Sequence, residues 1–141
     1  MKPSLRLTNA LHILVYVAAA RPTDSLSSKI IAGSINTNPS RVRALLADLQ
    51  NAGLLKREGD YPGRPVLAKP SAEISFADVL QAVEDCAAVF PIDEHTNPDC
   101  PVGSAMGQSL SKYYQEIDHQ VIETMSKMKL SDLVADVTKA C

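Results

Sequence analysis

The sequence predicts a mainly α-helical protein that carries one small β-hairpin. Apolar residues recur at helical spacing through most of the chain, and Asn-Pro, Ser or Cys-Pro signals stand where helices would begin. Two short extended runs flank a turn at 59–64. With 141 residues, of which 45% are hydrophobic, the chain is long enough to bury one compact core.

The first predicted helix covers the apolar run that ends before Arg21-Pro22. This run imitates a signal peptide, because Lys2 and Arg6 precede it and three alanines close it. Asn9 and His12 interrupt it, however, and its spacing is that of one buried helix face. We therefore predict a cytoplasmic protein. The residues of that face are Leu7, Ala10, Leu11, Leu14, Val15 and Ala18.

Two further helices, joined by a short polar turn, form a helix-turn-helix pattern. Asp24 or Ser25 is expected to cap the second helix, and Gly33 near its end is expected to allow the turn. Asn38-Pro39 predicts the start of the third helix, and Gly53 predicts its end. The apolar positions are Leu26, Ile30 and Ile31 in the second helix and Val42, Leu45, Leu46 and Leu49 in the third.

The runs Leu54–Glu58 and Pro65–Lys69 predict a two-stranded wing after these helices. Pro62-Gly63 suits the centre of a type II turn, because proline presets φ and glycine accepts a positive φ. A capping-box pattern at 75–78 then predicts a fourth helix. Three helices, a hairpin and another helix are the order of a winged helix-turn-helix, which we assign to residues 1–85.

Residues 86–141 are predicted to contain a sensor loop, a long dimerisation helix and a short C-terminal helix. The long helix should run from about Pro101 to Met128, and Ser131 should cap the last one. Apolar residues on the long helix cover more surface than one small domain can bury, which favours contact with a second copy. The predicted dimerisation residues are Leu110, Tyr113, Ile117, Val121 and Met125.

The charge distribution points to DNA although the net charge of the chain is -2. Residues 1–69 hold ten basic and four acidic side chains, whereas residues 70–141 hold four basic and twelve acidic ones. Arginines flank a face of small residues on the third helix, and Arg64 is expected to project from the wing into a minor groove. For the helix alone, an ordinary solvated face is an equal alternative. The predicted DNA-binding residues are Ser40, Arg41, Arg43, Ala44, Ala47, Lys56, Arg57 and Arg64.

The chain resembles the Rrf2 family of transcriptional regulators over nearly its whole length, and several segments carry this resemblance. They are 53–56 (GLLK), 62–70 (PGRPVLAKP), 73–84 (EISFADVLQAVE) and 130–133 (LSDL). The resemblance implies a homodimeric winged-helix regulator, usually a repressor, that binds a palindromic operator in double-stranded DNA. Many relatives have Gly-Gly-Tyr at the wing tip where this chain has Pro62-Gly63-Arg64, so the groove contact there is expected to differ.

The cysteines favour a thiol response over a bound cofactor, and a passive structural role for Cys100 at a helix start is an equal alternative. Cluster-binding relatives carry three closely spaced cysteines before the long helix, but this chain has only Cys100 there. Cys86, His95 and Cys100 match no common ligand spacing, so a metal or iron–sulfur sensor remains the less favoured alternative. Cys100 should cap the long helix, where the helix dipole favours thiolate and Asp99 opposes it. Oxidation would join Cys100 to Cys86 or to a cysteine of the other subunit.

The motifs of common enzymes are missing from the sequence. It contains no glycine-rich phosphate loop, nucleophile elbow or metalloprotease motif, and we therefore predict that the protein is not an enzyme. A protein-interaction module without specific DNA binding is the remaining alternative, and a salt-dependent shift on duplex DNA would distinguish the two.

Overall fold

A computed structural model describes residues 4–85 and 88–141 and confirms the predicted fold class. The elements are α1 (Arg6–Ala19), α2 (Ser28–Ile35), α3 (Pro39–Asn51), β1 (Leu55–Glu58), β2 (Arg64–Leu67), α4 (Phe76–Val83), α5 (Pro101–Ser126) and α6 (Leu130–Ala140). A single 3₁₀ turn, Ser71–Glu73, precedes α4. Within these ranges, no helix is both long and apolar enough to cross a membrane.

The core lies where α1, α2, α3, α4 and α6 meet the hairpin. All four predicted inward positions of α3 are buried. On α1 the prediction holds for Ala10, Leu14 and Val15, whereas Leu7, Leu11 and Ala18 are only partly buried and Ile13, which was not predicted, is fully buried. Each such side chain contributes roughly 1.5–3 kcal/mol through removal from water. This burial fixes the opposite face of α3 toward solvent.

The ends of α2 differ from the prediction. Ser27, rather than Asp24 or Ser25, is the N-cap, and its hydroxyl accepts a hydrogen bond from the N–H of Ile30 at 3.2 Å. The turn to α3 is made by Asn36, at φ 65°, while Gly33 lies inside the helix. Asparagine tolerates the left-handed conformation because its short polar side chain can form local hydrogen bonds.

The start of α3 agrees with the prediction, and the predicted two-stranded wing is present, although its second strand begins one residue earlier and ends two residues earlier than predicted. The Asn38 side chain accepts a hydrogen bond from the N–H of Arg41 at 2.9 Å, and Pro39 is the first helical residue. In the wing, β1 and β2 are antiparallel with Glu58 opposite Arg64. Gly63 has φ 80°, and a Cβ there would lie 3.0 Å from the Cβ of Arg57, so the turn requires glycine.

The C-terminal helix returns to the winged-helix unit. The Leu130 N–H donates to the Ile74 carbonyl at 2.8 Å, and the Phe76 N–H donates to the Met128 carbonyl at 2.9 Å. These bonds place α6 against α1 and start it at Leu130 with Lys129 as its N-cap. Ser131 therefore lies inside the helix, and its predicted capping role was wrong. The predicted division at 85/86 stays a prediction, although α6 packs with the first unit.

Candidate nucleic-acid interface

The solvent face of α3 combines small side chains with two arginines. Ser40, Ala44 and Ala47 are exposed along it, as are Arg41 and Arg43 near its N-terminal end. Small residues let a helix approach base edges closely, while arginine reaches guanine or phosphate. The geometry thus brings together all five residues that the sequence assigned to this helix.

Both α3 arginines have guanidinium groups without a carboxylate partner in the described parts of the chain. No acidic oxygen there lies within 4.0 Å of the Arg41 or Arg43 nitrogens. The Ser40 hydroxyl instead donates to the Asn38 side-chain oxygen at 3.1 Å, which holds the capping residue in place. The positive charge at this end of α3 is accordingly available to an anionic partner.

The wing carries Lys56 and Arg57 on its exposed first strand. The Lys56 ammonium lies 3.6 Å from Glu58, and Arg57 donates to the Gly63 carbonyl at 3.2 Å across the hairpin. At the tip, Tyr61 is 99% exposed and is a candidate groove contact that the sequence analysis missed. Its position next to Pro62-Gly63, in the predicted turn, could have indicated that Tyr61 is exposed at the wing tip.

Contrary to the prediction from the sequence, the Arg64 side chain does not project freely from the wing. Its guanidinium donates to the Asp24 carbonyl and, at 2.8 Å, to the Arg21 carbonyl in the loop between α1 and α2. In the same loop, the backbone N–H of Arg21, together with its guanidinium, holds the pKa of Asp24 below its usual value. Arg64 therefore fastens the wing to that loop, whereas a minor-groove contact would need the side chain to be free.

Two further basic residues, Lys29 and Arg6, are absent from the DNA-binding residues that the sequence predicted. Lys29 is exposed in the first turn of α2, after the Ser27 cap. Arg6 begins α1 and pairs with Asp48 of α3 at 2.9 Å. Local periodicity could not reveal this pair, because the two residues lie 42 positions apart.

The predicted sensor loop is hydrogen-bonded to α5 both in its first turn, at Gly103, and in its second half, at Asp118. The Val89 N–H donates to the Asp118 carboxylate at 2.8 Å, and the Thr96 hydroxyl donates to the Gly103 carbonyl at 2.7 Å. Gly103 is required here, because a Cβ would lie 2.8 Å from the Asn97 carbonyl oxygen. A change in this loop would consequently act directly on the start of α5.

Cys100 is the N-cap of α5, as the sequence predicted, with Pro101 at the first helical position. The backbone N–H groups of Gly103 and Val102 lower the pKa of its thiol, an effect that desolvation partly opposes. The side chain is partly exposed. Cys86, the predicted partner, lies outside the described residues.

Helix α5 exposes the apolar residues predicted to form a dimer interface. None of its residues is fully buried within one chain, and Tyr113 is 61% exposed. Ile117, Val121 and Met125 line one shallow, predominantly apolar hollow, and Leu110 is partly buried one turn before Tyr114. The C-terminal half of α5 therefore presents a mainly apolar hollow, to which Glu116, Gln120 and Thr124 also contribute.

Comparisons with known proteins agree with this geometry. The family described as "Rrf2: Iron-dependent Transcriptional regulator" matches residues 4–136. The chain is 33% identical over 129 residues to YwnA of Bacillus subtilis (strain 168), by name an HTH-type transcriptional regulator, covering 92% of this chain and 94% of YwnA.

Two solved structures share the fold. CymR (YrzC), the global cysteine regulator of B. subtilis, has a TM-score of 0.68 at 23% identity, covering 96% of this chain and 97% of CymR. IscR of T. potens has a TM-score of 0.70 at 18% identity, covering 99% of this chain and 90% of IscR.

The described residues do not fit the iron that the family description names. In residues 4–85 and 88–141, no three histidine, cysteine, aspartate or glutamate side chains converge as metal ligands. His95 and Cys100 do not form such a group, and Cys86 is outside those ranges.

Proposed function

The chain belongs to the Rrf2 family of DNA-binding transcriptional regulators, and we propose that it acts as a homodimeric repressor on a palindromic operator. The exposed face of α3 carries this proposal, because Arg41 and Arg43 flank the small residues Ala44 and Ala47 without a carboxylate partner among the described residues. We place α3 in the major groove and the wing, with Lys56, Arg57 and Tyr61, against the adjacent backbone or minor groove. Repression is the direction that the family resemblance implies.

A dimer is supported by the apolar surface of α5. Exposed apolar patches of this kind on a helix mark contact with another protein surface. A two-fold axis would place two α3 helices about 34 Å apart, or a multiple of that, on one side of the duplex. Such symmetry matches a palindrome.

Replacing Arg41 or Arg43 by alanine tests the DNA contact. Each change should weaken operator binding by about 1–3 kcal/mol if the side chain reads a base, and should reduce the salt slope by about one if it pairs with a phosphate. The measurement is fluorescence anisotropy over a range of salt concentrations, on a duplex selected from random-sequence DNA with the purified protein. Lys139→Ala, an exposed cation on α6, is the control. Unchanged affinity and slope in both arginine variants would contradict the assignment.

A second proposal concerns the signal, and the lowered pKa of Cys100 supports it. The thiolate would attack a peroxide oxygen, so that an S–O bond forms, the O–O bond breaks and hydroxide leaves while sulfur loses two electrons. The thiolate of Cys86, or a cysteine thiolate of the other subunit, would then displace hydroxide from the sulfenic acid to form a disulfide. Because Cys100 begins α5, the new bond would shift the dimerisation helix relative to α3.

The Cys100→Ser variant should bind the selected duplex as tightly as the wild type but lose its response to peroxide. Serine keeps a side chain of similar size at the N-cap and cannot form the sulfenic acid. Binding is measured before and after peroxide treatment, and Cys141→Ser is measured beside it to test whether Cys141 is the second cysteine of the disulfide. A wild type and a Cys100→Ser variant that respond equally would leave Cys100 with a structural role only.

A further inference from the structure

Arg6 joins three helices through one edge of its guanidinium. Its Nε donates to the Val83 carbonyl oxygen at 2.7 Å, and its Nη2 donates to the Asp48 carboxylate at 2.9 Å. These partners lie at the end of α4 and in the second half of α3, respectively. A planar guanidinium can hold both in a fixed geometry, whereas an ammonium group is a single point donor.

Each partner has a reason to need Arg6. Val83 is the last residue of α4, so its carbonyl oxygen has no N–H donor from a following turn of the helix. Asp48 is the one acidic residue of α3, and it lines the same hollow as Arg41 and Ala44. Without a cation beside it, this carboxylate would repel phosphates that approach α3.

The position of these contacts matters more than their strength. The side chains of Arg6 and Asp48 are 53% and 34% exposed, and ion pairs this open to water add little to stability. However, α4 packs against α5, and the chain passes from Val83 toward the loop that precedes α5. Arg6 thus connects the helix that faces DNA with the element that supports the dimerisation helix.

We propose that Arg6 is a positioning residue that sets the orientation of α3 relative to α5, and with it the half-site spacing that the dimer prefers. This inference rests on the proposed function, because it requires two copies joined through α5 on one duplex. The orientation of each α3 would determine where the second recognition helix meets the groove. Loss of the Arg6 contacts would therefore weaken DNA binding at the preferred half-site spacing and allow binding to a wider range of half-site spacings.

The experiment compares the wild type with Arg6→Lys, Arg6→Ala and Asp48→Ala on the selected palindrome and on duplexes with one base pair added or removed between half-sites. Arg6→Lys keeps the charge but loses the two-point contact, so affinity at the preferred spacing should fall by about tenfold. At the altered spacings the affinity of Arg6→Lys should differ from that of the wild type by less than about twofold. The salt slope of binding should stay the same. Asp48→Ala, which breaks the same contact, should show the same loss of spacing preference. In the double variant Arg6→Lys/Asp48→Ala this preference should be little weaker than in either single variant.

Two results would overturn the inference. If Arg6→Lys binds like the wild type and Arg6→Ala lowers the salt slope by about one at every spacing, Arg6 is a phosphate contact. If all variants keep the wild-type spacing preference, Arg6 has no positioning role. Thermal unfolding and sedimentation of each variant establish that it is folded and dimeric. A wild type without salt-dependent binding to the selected duplex would instead refute the proposed function itself.

Discussion

Replacing Ala47 by glutamate is expected to abolish operator binding while the protein stays folded. Ala47 lies on the exposed face of α3, one turn after Arg43. A glutamate there would carry negative charge and extra bulk into the groove, and it could also pair with Arg43 four residues earlier. Juxtaposed like charges cost several kcal/mol, which corresponds to a loss of more than about a hundredfold in affinity.

The fold should tolerate this change because glutamate is also a good helix former and the site makes no core contact. Ala135→Glu on α6 is the matched control, since Ala135 is likewise exposed within a helix. Anisotropy titrations with the selected duplex measure binding, and circular dichroism melting measures stability. If Ala47→Glu binds as tightly as Ala135→Glu, α3 does not enter the groove.

Local signals predicted where three of the six α-helices in the described residues begin. Asn38-Pro39, Ser75 with Asp78, and Cys100-Pro101 all cap helices at the predicted positions. These caps act within about one helical turn, so the residues that decide them are neighbours in the sequence. The solvent face of α3 follows for the same reason, since its apolar side fixes its orientation.

Contacts between distant segments account for what the sequence could not predict. Arg64 reaches carbonyls 40 and 43 positions away, and Arg6 reaches a carbonyl 77 positions away. The start of α6 depends on the bridge between Ser75 and Lys129 rather than on Ser131. In each case a long polar side chain or a backbone group pairs with a residue that is distant in the sequence, and patterns of neighbouring residues cannot predict such a pair.

These long contacts bear on how α5 could influence DNA reading. Arg64 fastens the wing to the α1–α2 loop, and Arg6 fastens α3 to α4. The wing and α3 are therefore both attached to the helices of the winged-helix unit, and α5 packs against one of these helices, α4. A change in the pairing of two α5 helices would be transmitted to both DNA-facing elements, provided that α5 is the dimer interface.

Replacing Ile117 by aspartate is expected to convert the proposed dimer to monomers and, as a consequence, to weaken operator binding. Ile117 is 38% exposed in one chain, on the hollow that it shares with Val121 and Met125. Burial of an unpaired carboxylate from each subunit costs several kcal/mol, so the dimer dissociation constant should rise by more than about a hundredfold. Loss of the link between half-sites should reduce apparent DNA affinity by about a hundredfold or more.

Val137→Asp separates loss of the interface from a general effect of a new surface charge. Val137 is 39% exposed on α6, which nearly equals the exposure of Ile117, and it is not part of the α5 surface. Sedimentation velocity should show wild type and Val137→Asp as dimers and Ile117→Asp as a monomer at micromolar concentration. A stable wild-type monomer under the same conditions would contradict the dimer. Because Arg41 and Arg43 are untouched, the Ile117→Asp monomer should keep weak, salt-dependent binding to duplex DNA, and this residual binding distinguishes a lost partner from a lost DNA-binding face.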